Sequence, residues 1–268
     1  MIVDFHTHVF PEAIADKTIS FLENKANSHA HTRGTLEELK SSMKEAGIDY
    51  SVALSVVTKP SQFNTVNNYL AEINGKDGII SFGGLHPDCE DIEEKLDYIK
   101  ELGLKGIKLH PDYQDTRIDD SKYITICKEA IKRGLIVLFH SGWDIGYPDS
   151  HNASVEYAVN LLNAINVDEQ EDAKIVFAHT GGWKNWDLVE EMLVGRNVYF
   201  DLSFSMPFLS KEQLTRIIKE HGSDRILFAT DSPWSGQKQS VAEISALDLD
   251  PEELEAIFYG NAAKLLNL

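Results

Sequence analysis

The chain opens with Met1-Ile2-Val3-Asp4-Phe5-His6-Thr7-His8, an apolar stretch that ends in His-Thr-His. This stretch is typical of a short buried β-strand, in which residues two apart point to the same face. His6 and His8 can therefore approach one point from the end of one strand. Two converging imidazoles suit a divalent metal ion. The first eight residues thus predict a strand that carries a metal-competent pair at its end.

Seven further apolar segments alternate with helical patterns along the chain. The predicted strands after the first cover 51–57, 79–85, 104–110, 135–140, 174–179, 197–202 and 225–230. Strand-helix alternation implies parallel pairing with right-handed crossovers. Eight such units in 268 residues predict an α/β fold, a single (β/α)8 TIM barrel domain over residues 1–268. An open doubly wound sheet is the alternative, but no glycine-rich phosphate loop follows the first strand.

Two additions to the barrel are expected. A helical insertion follows the first predicted strand, with helices at about 13–25 and 36–46. Extra helices close the chain, starting at Val241, Pro251 and Asn261. Proline in the first turn, with Glu252 and Glu253 beside it, is a pattern typical of a helix start.

Ligand-type residues fall where a barrel carries its active site, at the carboxyl ends of the strands. Besides His6 and His8, the predicted strands end in His86, His110, His140, His179 and Asp231. A single histidine at a strand end is more often a hydrogen-bonded rim residue, so the metal interpretation depends on their joint occurrence. His86 precedes a proline and is interpreted as part of a turn. His29 and His31 lie in a polar stretch and are interpreted as loop histidines.

Composition limits the classes of partner. A formal net charge of -18 argues against nucleic acid and anionic membranes. No apolar run is long enough to cross a bilayer, and the N-terminus lacks the pattern of a signal peptide. Cys89 and Cys127 form no C-x-x-C pair and are interpreted as reduced thiols. We therefore expect a cytoplasmic protein whose partner is a small-molecule substrate. A homo-oligomer is compatible with these numbers, which do not fix the oligomeric state.

The rim motifs resemble those of the amidohydrolase superfamily. The similarity lies in His6-Thr7-His8, in His140, in His-Thr-Gly-Gly-Trp from His179, in Thr-Asp-Ser-Pro-Trp around Asp231, and in the closing segment 260–266. The match is nearest to the amidohydrolase-2 branch, which includes aminocarboxymuconate-semialdehyde decarboxylase and related decarboxylases, hydratases and lactone hydrolases. The resemblance implies that His6, His8, His140 and Asp231 bind a metal. It also implies that His179 assists catalysis or binds a second metal.

This resemblance leads to one main hypothesis and two alternatives. Three imidazoles and a carboxylate would leave a position for water on the ion, and zinc is favoured over manganese because imidazoles predominate. Asp231 would act as the base, and His179 would stabilise the oxyanion or donate a proton to the leaving group. The main hypothesis is a metal-dependent hydrolase of a small amide, lactone or cyclic substrate. The alternative is a metal-dependent non-oxidative decarboxylase of a small aromatic or unsaturated acid. A barrel that binds a metal or ligand without catalysis is the third.

The strand that ends at His110 leaves a choice between one metal and two. Lys108 and His110 are two residues apart and share one side of the strand. Binuclear members of the superfamily have a carboxylated lysine here, so Lys108 could hold a second ion with His140 and His179. We favour one ion, with Lys108 and His110 binding a substrate carboxylate. In that interpretation Lys108 lies near barrel carboxylates such as Asp4. Three tryptophans follow site residues and are candidates for the substrate pocket wall or for rim packing, namely Trp143, Trp183 and Trp234. Of these, Trp143 and Trp234 are assigned to substrate binding.

Overall fold

The computed structural model describes residues 1–268. Every strand pairing in it is parallel. The strands are β1 (Val3–His8), β2 (Tyr50–Leu54), β3 (Ile79–Ser81), β4 (Gly83–Gly84), β5 (Gly106–Leu109), β6 (Ile136–Phe139), β7 (Ile175–Phe177), β8 (Tyr199–Asp201) and β9 (Ile226–Leu227). They pair in sequence order, as β1 to β3 and as β4 to β9.

Two junctions turn these ladders into a barrel with eight strand positions, each of which we call a stave. β3 and β4 form one stave that is interrupted only at Phe82, whose N–H donates to Ala53 O at 3.1 Å. At the other junction β9 and the segment after it lie beside β1. There Phe5 N–H donates to Phe228 O at 2.9 Å and Asp231 N–H donates to His6 O at 2.8 Å. The predicted α/β barrel with parallel strands is confirmed.

Helices connect the staves and cover the barrel. They are α1 (Glu12–Ala26), α2 (Leu36–Ala46), α3 (Phe63–Ile73), α4 (Ile92–Glu101), α5 (Ser121–Lys132), α6 (Val155–Ile165), α7 (Trp186–Met192), α8 (Lys211–His221), α9 (Gln237–Ser245), α10 (Pro251–Glu255) and α11 (Asn261–Leu266). The insertion after β1 consists of α1 and α2, and the extra C-terminal helices are α9 to α11. None of these helices is both long enough and apolar enough to span a bilayer.

Local sequence explains where several helices begin and end. The Thr35 hydroxyl accepts the N–H of Glu38 at the start of α2, and Gly47 ends that helix with a left-handed φ of 72°. Asp120 and Ser154 cap α5 and α6 in the same way. The strands, by contrast, are shorter than the apolar runs predicted. After β7 and β9 the chain then turns out of the extended conformation, at His179 with φ 59° and at Asp231 with φ 67°.

Apolar side chains fill both sides of the sheet, as expected for parallel strands covered by helices. One cluster lies between strands and helices and includes Val137 and Phe139. The alternate residue Leu138 belongs to a second cluster, together with Phe5 and Phe82. Most of the buried histidines, and Asp231, lie at or just beyond the carboxyl ends of the strands, and this places the candidate site.

Candidate metal centre and active site

Three predicted ligands meet beyond the ends of β1 and β9. His8 Nε2 lies 3.1 Å and His6 Nε2 lies 3.4 Å from Asp231 Oδ1, and the two Nε2 atoms are 3.2 Å apart. Ligands at about 2.1 Å around a tetrahedral ion are separated by about 3.4 Å. The three atoms are thus spaced as ligands of one divalent ion, which we call the first cluster.

The outer ring nitrogens fix the tautomer of both histidines. His8 Nδ1 donates to Leu54 O at 3.0 Å, and His6 Nδ1 donates to a carboxylate oxygen of Asp201 at 2.8 Å. Each Nε2 therefore carries a lone pair that faces the cluster, the arrangement that carboxylates and carbonyls produce around metal-binding histidines. Burial lowers the pKa of His6 well below its ordinary value, and the nearby Lys108 lowers it further. His6 is accordingly neutral and ready to act as a ligand.

Asp201 is a site residue that sequence reasoning missed. Besides His6, its carboxylate accepts the N–H of His179 at 3.1 Å and the N–H of Ser203 at 3.0 Å. It is fully buried at the end of β8. The sequence feature that could have identified Asp201 is an acidic residue at the end of the apolar run Tyr199-Phe200. The same pattern identified Asp231.

Lys108 is a buried cation beside the first cluster. Its side chain is only 1% exposed, and its Nζ donates to His6 Nε2 at 3.3 Å. Burial lowers the pKa of Lys108 to about 8, against the opposing charges of Asp201, Asp231 and Asp144. Asp4 is the predicted neighbour of Lys108. Its Oδ2 instead accepts hydrogen bonds from the Thr230 hydroxyl at 2.6 Å and from Gln237 Nε2 at 2.7 Å. Lys108 therefore interacts with the rim of the barrel and not with its deeper carboxylate.

His179 and His140 form a pair next to the first cluster. His179 Nδ1 donates to Ser203 O at 3.0 Å, so its Nε2 accepts the Nδ1–H of His140, also at 3.0 Å. The other ring nitrogen of His140, Nε2, lies 3.8 Å from Asp144. His140 thus does not join the donor atoms of His6, His8 and Asp231, and its role as their fourth ligand stays a prediction.

A second group of metal-competent side chains surrounds His140. His110, His140 and Asp144 are all buried, and their donor atoms lie within 4.8 Å of one another. The His110 ring is stacked between Tyr113, at 3.8 Å, and His140, at 4.1 Å. Asp112 completes this second cluster, with an oxygen 3.9 Å from His140 Nε2. Burial raises the pKa of Asp112 to about 6.

Asp112 and Asp144 were also missed by the sequence analysis. The sequence feature that could have identified them is their position, because each follows a rim histidine within four residues. Asp112 follows His110, and Asp144 follows His140. The loops after β5 and β6 bring them together, and this arrangement is not encoded in the local pattern.

The two tryptophans proposed as substrate contacts lie in different places. Trp143 is 44% exposed, and its carbonyl faces His140 Nε2 at 3.3 Å. Trp234 lines a separate cavity of about 70 Å³ together with Phe204, Met206 and Ile244. Trp143 is therefore beside the second cluster, whereas the contacts of Trp234 belong to another cavity. Neither position tests substrate binding, which stays a prediction for both.

The three histidines interpreted as turn or loop residues lie outside the first cluster. His86 is buried in the turn after β4, where its Nδ1 accepts the N–H of Asp88 at 3.1 Å. His29 is almost fully exposed beside Glu23. His31 lines the same cavity as Trp234. None of the three reaches the first cluster.

A parallel eight-stave barrel with two imidazoles and a carboxylate converging at the strand ends defines a class, the metal-dependent barrel enzymes. The family model described as Amidohydrolase matches residues 3–268. The chain belongs to this family, and it is an enzyme of that family. The resemblance stated from the rim motifs is thereby confirmed. No curated protein matches the sequence.

Solved structures show the same fold at low sequence identity. A TIM-barrel protein of uncharacterised function from Bordetella bronchiseptica has a TM-score of 0.77 at 18% identity, covering 99% of this chain and 98% of that one. The 5-carboxyvanillate decarboxylase from Sphingomonas paucimobilis has a TM-score of 0.75 at 16% identity, covering 100% and 99%. A dihydroxybenzoic acid decarboxylase from Polaromonas sp. JS666, with bound manganese and the inhibitor 2-nitroresorcinol, has a TM-score of 0.73 at 17% identity, covering 100% and 97%.

Proposed function

We propose that the chain is a metal-dependent non-oxidative decarboxylase of a small aromatic or unsaturated carboxylic acid. The observation that carries this proposal is Lys108, a fully buried cation 3.3 Å from His6 in the first cluster. A buried ammonium is a partner for a carboxylate, and an acid substrate supplies one. Similarity to two decarboxylase structures supports the same reaction. Both arguments favour decarboxylation over the hydrolysis that the sequence analysis placed first.

His6, His8 and Asp231 would hold the divalent metal ion. Their donor spacing and the two fixed tautomers fit such an ion, as described above. When bound, it would act as a Lewis acid on substrate oxygens. The imidazole-rich set supports zinc, and the manganese in the decarboxylase from Polaromonas supports manganese. We propose a divalent transition metal and leave the choice between these two to metal analysis.

The residues around the ion have separate tasks in this reaction. Lys108 would orient the carboxylate whose bond to carbon breaks. The electron pair of that bond stays on the substrate carbon as carbon dioxide leaves, and this carbon then takes up one proton. Asp231 or His179 would deliver it. A metal ligand is deprotonated, so a bound ion would keep Asp231 ionised. Asp231 is therefore a carboxylate that would first take the proton of a substrate hydroxyl and then give it to the carbon, and a proton from water would restore the hydroxyl of the product.

Hydrolysis of a lactone, amide or cyclic substrate is the second candidate. The specific observation in its favour is the same ionised Asp231, 3.1 Å from His8. A carboxylate in this position can take a proton from an attacking water. The non-catalytic barrel, the third hypothesis, would leave both substrate classes unchanged.

The first experiment measures carbon dioxide and released acid separately. Metal-loaded protein is incubated with hydroxybenzoates, and in parallel with lactones and amides. We expect carbon dioxide from a hydroxybenzoate at a rate proportional to enzyme. Acid release from a lactone or amide, without carbon dioxide from any acid, would replace the proposal with hydrolysis. No turnover of either class by fully metal-loaded protein would favour the non-catalytic hypothesis.

The second experiment tests whether Lys108 binds the carboxylate. Lys108→Met should raise KM for the acid substrate by at least about tenfold, because a charge-assisted hydrogen bond contributes about 1.5–3 kcal/mol. Lys108→Arg keeps the charge and should recover part of the loss. An unchanged KM in Lys108→Met would show that Lys108 does not bind the substrate carboxylate, and this would contradict the main argument for the proposal.

The third experiment tests the ligands of the first cluster. His8→Ala should abolish carbon dioxide release and remove the metal from this cluster, while circular dichroism remains that of the barrel. His29→Ala changes an exposed histidine and serves as the matched control. Full activity of His8→Ala after dialysis against a chelator would contradict metal dependence.

A further inference from the structure

Ser203, in the loop after β8, lies between two site histidines that have different tasks. It is fully buried, and its Oγ is 3.2 Å from His6 Nδ1 and 3.0 Å from His179 Nδ1. His6 belongs to the first cluster, whereas His179 is a candidate for proton delivery. One hydroxyl therefore contacts both a predicted metal ligand and a predicted catalytic residue.

The neighbours of Ser203 fix the direction of its own proton. The hydroxyl donates to the Asp201 carboxylate, which can only accept. The lone pairs of Oγ are then free to accept from the two rings. Both rings present an N–H there, because His6 Nδ1 also donates to Asp201 and His179 Nδ1 also donates to the Ser203 carbonyl. Every donor in this group therefore faces an acceptor.

Ser203 offers two acceptors to a single N–H of His179. Its carbonyl oxygen and its Oγ each lie 3.0 Å from His179 Nδ1. The backbone N–H of His179 donates to Asp201 at 3.1 Å, and its φ of 59° is left-handed. Turning the imidazole over would exchange Nδ1 for a carbon and would lose both hydrogen bonds to Ser203. The loop after β8 thus holds both the backbone and the ring of His179.

We propose that Ser203 is a positioning residue that acts through His179. Its hydroxyl and its carbonyl hold the ring with Nδ1 toward the loop and Nε2 turned into the site. The hydroxyl also joins this ring to Asp201, which would then serve His6 directly and His179 through Ser203. The effect on catalysis rests on the proposed function, whereas the effect on the ring does not.

The first test observes the ring of His179 and needs no turnover. Protein labelled with ¹⁵N-histidine is studied by NMR with and without Zn²⁺, and the His179 signals are those missing from His179→Ala. In the wild type the ring should carry its proton on Nδ1. Ser203→Ala removes one of the two acceptors, so the Nδ1–H resonance should shift and its exchange with water should accelerate by at least about fivefold. An unchanged resonance and exchange rate would overturn the proposal.

Ser205→Ala is the matched control for this measurement. Ser205 is equally buried in the same loop, but its hydroxyl bonds to the Ser203 carbonyl and the Thr180 hydroxyl, and not to a histidine. Equal changes in both variants would mean a general loosening of the loop and would also overturn the proposal. Ser203→Ala should fold, because Asp201 keeps the N–H donors of His6 and His179, and circular dichroism checks this.

The second test separates positioning from metal and substrate binding. In Ser203→Ala, kcat for the acid substrate should fall by at least about fivefold. Bound metal should stay constant, because Asp201 still accepts His6 Nδ1–H, and KM should stay constant, because Lys108 is the proposed carboxylate contact. An unchanged kcat, or a loss of metal that accounts for the whole fall, would overturn the proposal. A wild type without any turnover would contradict the proposed function instead, and the NMR result alone would then decide on Ser203.

Discussion

At the scale of single residues, Asp231 shows how the backbone at a strand end directs a side chain into the first cluster. Its backbone adopts a left-handed φ of 67°, and its N–H donates to His6 O at 2.8 Å. This turn directs the carboxylate back toward the two imidazoles, and Asp is among the residues that tolerate such a φ. Left-handed residues that are held by their surroundings are often found at functional sites. His179, with φ 59°, is a second example at this rim.

Asp231→Asn should separate metal binding from proton transfer. The amide retains an oxygen for the metal but cannot take or deliver the proton. We expect metal content to fall modestly and kcat to fall by at least roughly a hundredfold, the usual contribution of general acid-base catalysis. Turnover is measured per bound metal ion. Near-normal turnover of the loaded variant would assign the proton transfer to another group, and His179 would be the first candidate.

Asp201→Asn should act on the metal through His6. The carboxylate accepts His6 Nδ1–H at 2.8 Å, and an amide that presents its NH₂ there would favour the wrong tautomer. Loss of such a partner typically weakens metal affinity by about 10–100-fold. Metal titration of the variant measures this effect, and Asp187→Asn, an exposed acid on α7, is the control. An unchanged affinity would show that Asp201 has only a structural role at the end of β8.

At the scale of elements, the end of α8 carries a buried histidine that is unrelated to the site. His221 Nε2 donates to Val198 O at 2.9 Å, and its Nδ1 accepts Gly195 N–H at 3.1 Å. The ring is stacked on Phe200 at 3.9 Å. Burial lowers the pKa of His221 to about 4. The neutral ring thus joins α8 to the segment that leads into β8.

This pKa predicts a specific loss of stability in acid. Between about pH 6.5 and pH 4 the unfolded chain binds a proton at His221 and the folded chain does not, so the free energy of unfolding falls as pH falls. A difference of roughly 2.5 pH units corresponds to about 3 kcal/mol. Urea unfolding of His221→Gln should show a smaller decline over this range, whatever its stability at pH 7. The exposed His151→Gln is the control, and equal pH dependence in wild type and His221→Gln would contradict the assignment.

At the scale of the whole molecule, the barrel closes where the two ends of the chain meet. Asp4 on β1 accepts the Thr230 hydroxyl at 2.6 Å and the Thr230 N–H at 3.0 Å. The Gln237 amide at the start of α9 donates to the same carboxylate at 2.7 Å. Burial raises the pKa of Asp4 to about 7, and these donors oppose that rise. The network therefore holds in position the strand ends that carry His6, His8 and Asp231.

Thr230→Val should weaken this closure without changing side-chain shape. It leaves a buried carboxylate oxygen with one donor fewer, a loss that costs about 1–3 kcal/mol of unfolding free energy. Thr230→Ser keeps the hydroxyl and should be less destabilising. The exposed Thr125→Val on α5 is the control, and all four proteins are unfolded with urea in the absence of metal. A Thr230→Val protein as stable as the wild type would show that the hydroxyl does not contribute to barrel closure.

Much of this architecture could be predicted because its causes are local. Apolar runs of strand length alternate with helical patterns, and parallel pairing with right-handed crossovers leaves few topologies. The spacing of two residues between His6 and His8 places both side chains on one face of β1. The positions of His140, His179 and Asp231 at the barrel rim follow in the same way, because all carboxyl ends of the staves lie on one side.

What each rim side chain contacts was decided only by the tertiary structure. The partner that fixes His6 is Asp201, 195 residues away. His140 turns its Nδ1 to His179 and its Nε2 to Asp112 and Asp144, which come from different loops. A strand pattern determines the direction in which a side chain leaves the backbone. Ring orientation and tautomer depend on neighbouring polar groups, and only the closed barrel brings these groups close, from 2.8 Å for Asp201 at His6 to 3.9 Å for Asp112 at His140.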